Sequence, residues 1–228
     1  FMKTVLVTGA GRGIGLAVAK KFSSMGWSVL SLDKEFKGSC VGESISFDLR
    51  SLDKIPELID RVGPIDTLIN NAAVLFCDPM DSIPQDHIQE ILEVNLLAPA
   101  RLIESVSLGM RSRGGGRIVS VGSVSAFTGH PDLWYGATKA ALLNLTKSYA
   151  AHLGRHNIFV NAVAPGPTLT AMYEQLPDSR KESVMNSVHS GRPCLPEEVA
   201  ETIFWLGAES PAYVSGTTVD VSGGSYPR

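Results

Sequence analysis

The chain of 228 residues has only three cysteines, Cys40, Cys77 and Cys194. They lie far apart and match no metal-ligand spacing, so neither a disulfide framework nor a cysteine-built metal site is expected. So sparse and odd a count fits a reducing compartment. Positive charge is not in excess, since 20 Lys and Arg stand against 23 Asp and Glu. That balance gives no reason to expect a nucleic-acid partner. Apolar runs are short, and none approaches the ~20 residues of a membrane span. The first of them, "TVLVTGA", runs into glycines and has none of the features of a secretory leader. Repeats, low-complexity tracts and linkers are missing too. The expectation is a soluble, cytoplasmic protein folded as one domain over 1–228.

What is present is a regular alternation. Apolar, β-branched runs occupy 3–8, 28–33, 44–48, 66–70, 117–122, 158–164 and 217–222. Helical patterns fill 13–25, 51–62, 85–112, 133–154 and 196–207 between them. Strands apolar on both faces, each followed by a helix, predict an α/β fold. Its core would be a doubly wound, parallel, seven-stranded sheet covered by helices on both sides. The stretch 165–195 has weak strand signal and is expected to be a substrate loop or lid.

Between the first strand and the first helix stands "TGAGRGIG", with glycines at 9, 11, 13 and 15. The spacing is not G-x-G-x-x-G, but the physics is similar. Glycine lets backbone turn tightly and approach a phosphate, and a helix N-terminus supplies N–H donors. Gly9, Gly13, Ile14 and Gly15 are therefore candidate cofactor contacts. Asp33, ending the second strand, can accept from ribose hydroxyls and repels a 2′-phosphate. That favours NAD, although Arg12 and Lys34 are near enough in sequence to pair with the phosphate of NADP. Asp48 is placed at the end of the third strand and could accept from an adenine amino group, or simply serve a turn.

"YGATK" places Tyr135 one helical turn before Lys139, on the same helix face. A phenol titrates near ~10, and a cation beside it favours the phenolate. The pair suits proton transfer, although the same spacing also arises on solvated helix faces.

Taken together, these motifs resemble those of the short-chain dehydrogenase/reductase family, whose Rossmann-like fold agrees with the alternation above. The resemblance extends over essentially the whole chain through "NNAA" (70–73), "VNLLAPARL" (94–102), "IVSVGS" (118–123), "PGPTLT" (165–170), "RPCLPEEVA" (192–200) and "VSGTTVDVSGG" (214–224). Departures are Ala73 for a usual glycine, and Ser120 and Gly122 for residues that are commonly Asn and Ser. The resemblance implies NAD(P)-dependent hydride transfer between nicotinamide and a secondary alcohol or ketone. It implies Tyr135 as general acid and base, and Lys139 as the group that bonds the nicotinamide ribose and lowers the phenol pKa. Ser123 would hold the substrate oxygen, and Asn95 would organise a water that continues the proton relay. Asn70 and Ala72 would line the adenosine side through backbone groups. Pro165 and Gly166 would meet the nicotinamide. Thr168 and Thr170 are further cofactor candidates, with Thr170 expected to contact phosphate.

The C-terminal half is similar to 3-oxoacyl-(acyl carrier protein) reductases. This would make Arg111, Arg113 and Arg155 candidates for docking an acidic carrier. Separately, the segment 165–195 offers no obvious carboxylate clamp except Arg192. Related enzymes pair through their long helices, so a homotetramer or homodimer is expected. The competing class is a cofactor-binding regulator or scaffold with little catalysis, against which the intact Ser123, Tyr135 and Lys139 weigh.

Overall fold

The computed structural model describes residues 2–38 and 40–226. Seven strands form one parallel sheet in the order β3-β2-β1-β4-β5-β6-β7. They are β1 (Thr4–Thr8), β2 (Ser28–Asp33), β3 (Glu43–Ser46), β4 (Thr67–Asn70), β5 (Gly116–Val121), β6 (Ile158–Pro165) and β7 (Thr218–Val221). The helices are α1 (Gly13–Ser24), α2 (Ile55–Val62), α3 (Gln85–Leu92), α4 (Ala98–Ser112), α5 (Leu133–Leu153), α6 (Ala171–Glu174), α7 (Asp178–Asn186) and α8 (Pro196–Phe204). Every strand pair is parallel, as the two-faced apolar runs predicted.

Strand alternation divides the core into two layers. Val5, Val7, Val29, Ile69, Val119 and Val163 face Val18 and Phe22 of α1 and Val199 and Ile203 of α8. Leu6, Leu30, Leu68, Ile118 and Val160 face Leu58 of α2, Leu102 and Val106 of α4, and Leu153 of α5. Among the described residues no helix is long and apolar enough to cross a membrane.

The expected helix over 85–112 is interrupted. Residues Glu93–Leu97 form a π-helical turn between α3 and α4, in which the Ala98 N–H donates to the Glu93 carbonyl five residues back. Pro99 explains the break from the α pattern. It has no N–H, so the α-type bond to the Asn95 carbonyl cannot form. The segment 165–195 is more ordered than a loop. It carries α6 and α7, and a parallel bridge joins Thr168 to Cys194.

The order of strands reverses direction between β1 and β4. In a parallel sheet the crevice for a ligand opens there, at the carboxyl ends of the strands. Those ends carry the glycine turn, Asp33, Asn70–Ala72, Val121–Ser123 and Pro165–Gly166.

Candidate active site

The glycine turn fits tightly against the end of β4. Gly9 has φ +67, and a Cβ there would lie 2.9 Å from the Ala72 Cα. Thr8 stitches the two strand ends together. Its Oγ1 accepts from the N–H groups of Asn71 and Ala72, both at 3.0 Å, and the Asn71 side chain donates to the Thr8 carbonyl at 2.9 Å. The Ala72 N–H is thus committed to Thr8, which leaves its carbonyl as the group able to face a ligand. Asn71 and Thr8 were not singled out in the sequence, although "NN" after a strand and "TG" after another are visible there.

The first turn of α1 contains no acidic residue, and Arg12 makes no side-chain cap bond. The N–H groups of Gly13, Ile14 and Gly15 therefore point out of the helix end with the partial positive charge that suits a phosphate. Thr170 meets this turn from the far side, its Cγ2 3.2 Å from where a Gly13 Cβ would stand. Its hydroxyl accepts from the Tyr173 N–H at 3.4 Å and so caps α6. Thr168 is different. It is buried, and its hydroxyl donates to the Gly166 carbonyl at 2.9 Å, so it serves its own turn instead of reaching outward. Gly166 N–H donates to the Val221 carbonyl at 2.9 Å, which fixes the turn after Pro165 against β7.

Asp33 lies at the crevice as expected. Its carboxylate accepts from the Gly11 N–H and the Lys34 N–H, each at 2.8 Å. Asp48 lies past the end of β3, which stops at Ser46. It is held by the Arg50 guanidinium at 2.6 Å and faces Lys34 Nζ at 3.4 Å. The hydrogen bonds from Arg50 hold its carboxyl well below the usual range. Both cations compete with any adenine amino group for Asp48, which makes it the weakest of the expected contacts. Asn70 turns inward, with both amide atoms buried and without a protein partner among the described residues.

Tyr135 and Lys139 share one face of α5 as the spacing predicted. Lys139 is 2% exposed, and its Nζ donates to the Val121 carbonyl at 2.7 Å. Burial pulls the ammonium down to about 8. The Nζ lies 5.6 Å from the Tyr135 ring centroid. The expected lowering of the phenol is not what this structure has. Burial pushes Tyr135 up to about 12, against a smaller opposing pull from its hydrogen bond with Ser123 and with a further push from the nearby Asp132 carboxylate. Ser123 is thus brought to the phenol, and its Oγ also accepts from the Ser125 N–H at 3.2 Å.

Asn95 is fully buried in the π-helical turn. Its side chain accepts from the Val74 N–H at 2.8 Å and donates to the Val74 carbonyl at 3.0 Å and to Thr138 Oγ1 at 3.4 Å. The amide is therefore spent on holding the loop after β4. Only the backbone carbonyl, freed from its α-type bond by Pro99, is left to take part in a relay.

The three arginines named for carrier docking lie far from Tyr135. Arg111 and Arg113 end α4 and Arg155 follows α5, before the starts of β5 and β6 and so at the opposite ends of the strands from Tyr135. Twenty residues of helix separate Tyr135 from Arg155, roughly 30 Å at 1.5 Å per residue. Arg113 donates to the Ile65 carbonyl. Arg192 is consumed by a two-pronged pair with Glu198, at 2.8 and 2.6 Å, and is no free clamp. His130, Asp132 and Arg180, which cluster beside Tyr135, were missed. "HPD" just before a helix was the available signal for the first two, and nothing local marks Arg180.

The buried ammonium has a consequence for stability. Lys139 drops from 10.5 to about 8 on folding, so the unfolded chain holds more protons between those values. Stability therefore rises with pH across about 8 to 10.5, by at most roughly 3 kcal/mol. Tyr135 works in the opposite sense, and stability falls as pH rises from 10 towards about 12. Urea unfolding of Lys139→Met across this range is expected to lose the rise above pH 8. A rise of unchanged size would mean that the ammonium is not the source.

The short chain dehydrogenase family profile matches residues 3–181. A 3-oxoacyl-(acyl-carrier-protein) reductase of Haemophilus influenzae is 31% identical over 237 residues, covering 98% of each chain. A Beutenbergia cavernae protein, provisionally described as an NAD(P)-dependent gluconate 5-dehydrogenase, has NADP bound at low occupancy. It is 29% identical with a TM-score of 0.91, over 98% of this chain and 96% of that one. ElxO with bound NADP is 25% identical with a TM-score of 0.90, over 99% of both chains. The bound NADP in these neighbours gives no support to the preference for NAD suggested by Asp33. With its sheet order, its glycine turn and the full-length similarity, the chain belongs to the short-chain dehydrogenase family and is an NAD(P)-dependent oxidoreductase.

Proposed function

We propose that the chain transfers hydride between nicotinamide and a secondary alcohol or ketone, with Tyr135 as general acid and base. The observation that carries this reading is the buried Lys139 ammonium on the Tyr135 face of α5, with Ser123 bonded to the phenol. In reduction, Tyr135 gives its proton to the ketone oxygen. In oxidation, the phenolate takes the alcohol proton. Ser123 donates to the same oxygen and holds it against the phenol. Lys139 stabilises the phenolate, and the two Nζ hydrogens not used by Val121 are available to ribose hydroxyls. When bound, the nicotinamide supplies or accepts the hydride at its C4.

The residues present fit such a cofactor. The open N–H groups of α1 suit a pyrophosphate, and the glycine turn has no side chain in the way. Thr170 closes on that turn. Asp33 sits where ribose hydroxyls need an acceptor. The test is loss of reduced-nicotinamide absorbance with a panel of ketones. Absence of cofactor oxidation with every ketone, and of its formation with the matching alcohols, would sink the reading.

The choice between NAD and NADP rests on opposing charges. Asp33 repels a 2′-phosphate, whereas Arg12 is exposed and follows Gly11, whose N–H Asp33 holds, and Lys34 follows Asp33 in sequence. Binding titrations followed by tryptophan fluorescence test this. Asp33→Asn is expected to move the NADPH-to-NADH affinity ratio upward by about tenfold, and Arg12→Ala to move it downward by a similar factor, in keeping with charged hydrogen bonds worth about 1.5–3 kcal/mol. A ratio unmoved by both changes would place the discrimination elsewhere.

For substrate, 3-oxoacyl thioester reduction is the subtype favoured by full-length similarity to reductases of that name. Turnover of short 3-oxoacyl thioesters supports the subtype, and failure with both cofactors removes it.

A further inference from the structure

α7 has no fully buried residue, and its apolar packing is limited to half-buried side chains such as Val184 and Met185. Arg180 ties it to the catalytic side. One guanidinium nitrogen donates to Asp132 Oδ2 at 2.5 Å and to His130 Nε2 at 3.2 Å. The other reaches Cys77 Sγ at 3.8 Å. Three separate segments therefore meet at one side chain: the loop after β4, the loop before α5, and α7 itself.

The meeting point is beside the reacting phenol. Asp132 directly precedes α5, and its carbonyl accepts from the Gly136 N–H at 3.1 Å, one residue past Tyr135. The His130 and Tyr135 rings are 5.4 Å apart. The Asp132 side chain is 8% exposed and that of Arg180 is 19% exposed, so the pair is shielded from water and from salt. The imidazole is held at both nitrogens, with Nε2 facing Arg180 and Nδ1 lying 3.2 Å from the Asp132 N–H, which donates to it, and 3.3 Å from the Asp132 carbonyl. Burial pushes His130 below its ordinary value and keeps it neutral. The groups that set the charge around Tyr135 are then Lys139 and Asp132 beside it in the chain, His130 from the preceding loop, Arg180 from α7, and Cys77 behind Arg180.

We propose that Arg180 is a positioning residue of the reaction, which latches the 165–195 segment over Tyr135 and offsets the negative charge that Asp132 holds beside the phenol. The proposal rests on the acid–base reading of Tyr135. It has two separable consequences. Closure of the segment governs how well a substrate is held. Neutralisation of Asp132 governs how readily Tyr135 ionises, since an uncompensated carboxylate disfavours a phenolate.

Arg180→Gln removes the charge while keeping much of the size. KM for the carbonyl substrate is expected to rise about tenfold or more with cofactor affinity unchanged, as a factor of ten needs only about 1.4 kcal/mol of lost binding. The rise of alcohol oxidation with pH is expected to move to higher pH. In Arg180→Gln/Asp132→Asn the pH profile returns towards that of the parent while KM stays high, which separates charge from closure. Arg180→Lys keeps the charge without the fork, so its pH profile stays near the parent's and guards against an effect of general misfolding. Amide exchange across 171–187 is expected to accelerate in Arg180→Gln, and it is read without turnover. That readout stands even if Tyr135→Phe proves active and the acid–base reading falls. Parental KM, pH profile and α7 exchange in Arg180→Gln would overturn the proposal.

Discussion

Tyr135→Phe is expected to lower kcat by about 10²–10⁴-fold, the usual contribution of a positioned proton donor, while cofactor affinity stays within about twofold. The aromatic ring remains, so its packing against Lys139 Nζ at 5.6 Å and the His130 ring at 5.4 Å is retained. Only the hydroxyl and its bond with Ser123 are lost. The structure adds a direction to this result. With the phenol pushed up to about 12, Tyr135 is protonated throughout the neutral range. It is therefore charged with its proton for ketone reduction, and reduction should be flat with pH near neutrality. Oxidation needs the phenolate and should rise with pH. Steady-state rates in both directions, with cofactor binding measured separately, check the prediction. Turnover that survives in Tyr135→Phe would remove Tyr135 from the mechanism and revive a proton donor bound elsewhere, or a protein that binds cofactor without using it.

The fold could be read from the chain because its signals are local and redundant. Val5, Leu6 and Val7 are apolar on both faces of one strand, and only a sheet covered on both sides uses such a strand. Tyr135 and Lys139 were legible for the same reason, since four residues on a helix always share a face. Boundaries were less legible where a side chain decided them. Asp48 was placed on β3, but its pairing with Arg50 belongs to the turn beyond. The break in the long helix was written in the sequence as Pro99, four residues after Asn95, yet a proline within an apolar stretch reads equally well as a surface kink. What could not be read was contact across distance in sequence. Arg180 sits in a polar run with no periodic pattern, and its partner Asp132 is 48 positions away. The phenol pKa was missed for a similar reason. Proximity of a lysine in sequence predicts stabilisation of the phenolate, whereas the depth of burial, which dominates here, is a property of the whole fold.

The glycine turn offers a second large effect, and it is purely steric. A Cβ on Gly15 would stand 2.0 Å from the Gly9 carbonyl oxygen and 2.6 Å from the Asn71 side-chain nitrogen. Neither neighbour can yield cheaply. The Gly9 oxygen is backbone in a left-handed turn, and Asn71 is tied to the Thr8 carbonyl at 2.9 Å. Gly15→Ala must therefore push the turn away from α1, costing on the order of 1–3 kcal/mol in stability or more. For a chain of this size that corresponds to a fall in Tm of about 2–12 °C, at about 2–4 °C per kcal/mol. Cofactor affinity is expected to fall by about 100-fold or more, because the N–H groups of Gly13 and Ile14 move with the turn and a lost charged hydrogen bond is worth about 1.5–3 kcal/mol. Gly154→Ala is the control. Gly154 has φ −55 and ψ −37, which any residue adopts, and among the described residues no atom beyond its own chain neighbours and local helix backbone lies within 4 Å of its would-be Cβ. That change should leave binding alone and raise stability by about 0.4–1 kcal/mol through the unfolded state. Calorimetry and cofactor titration on the two variants separate the possibilities. If both lose stability, the chain tolerates no alanine at such glycines in general. If Gly15→Ala binds cofactor as the parent does, the turn is not the phosphate cradle, and the N-terminus of α1 loses its assigned role.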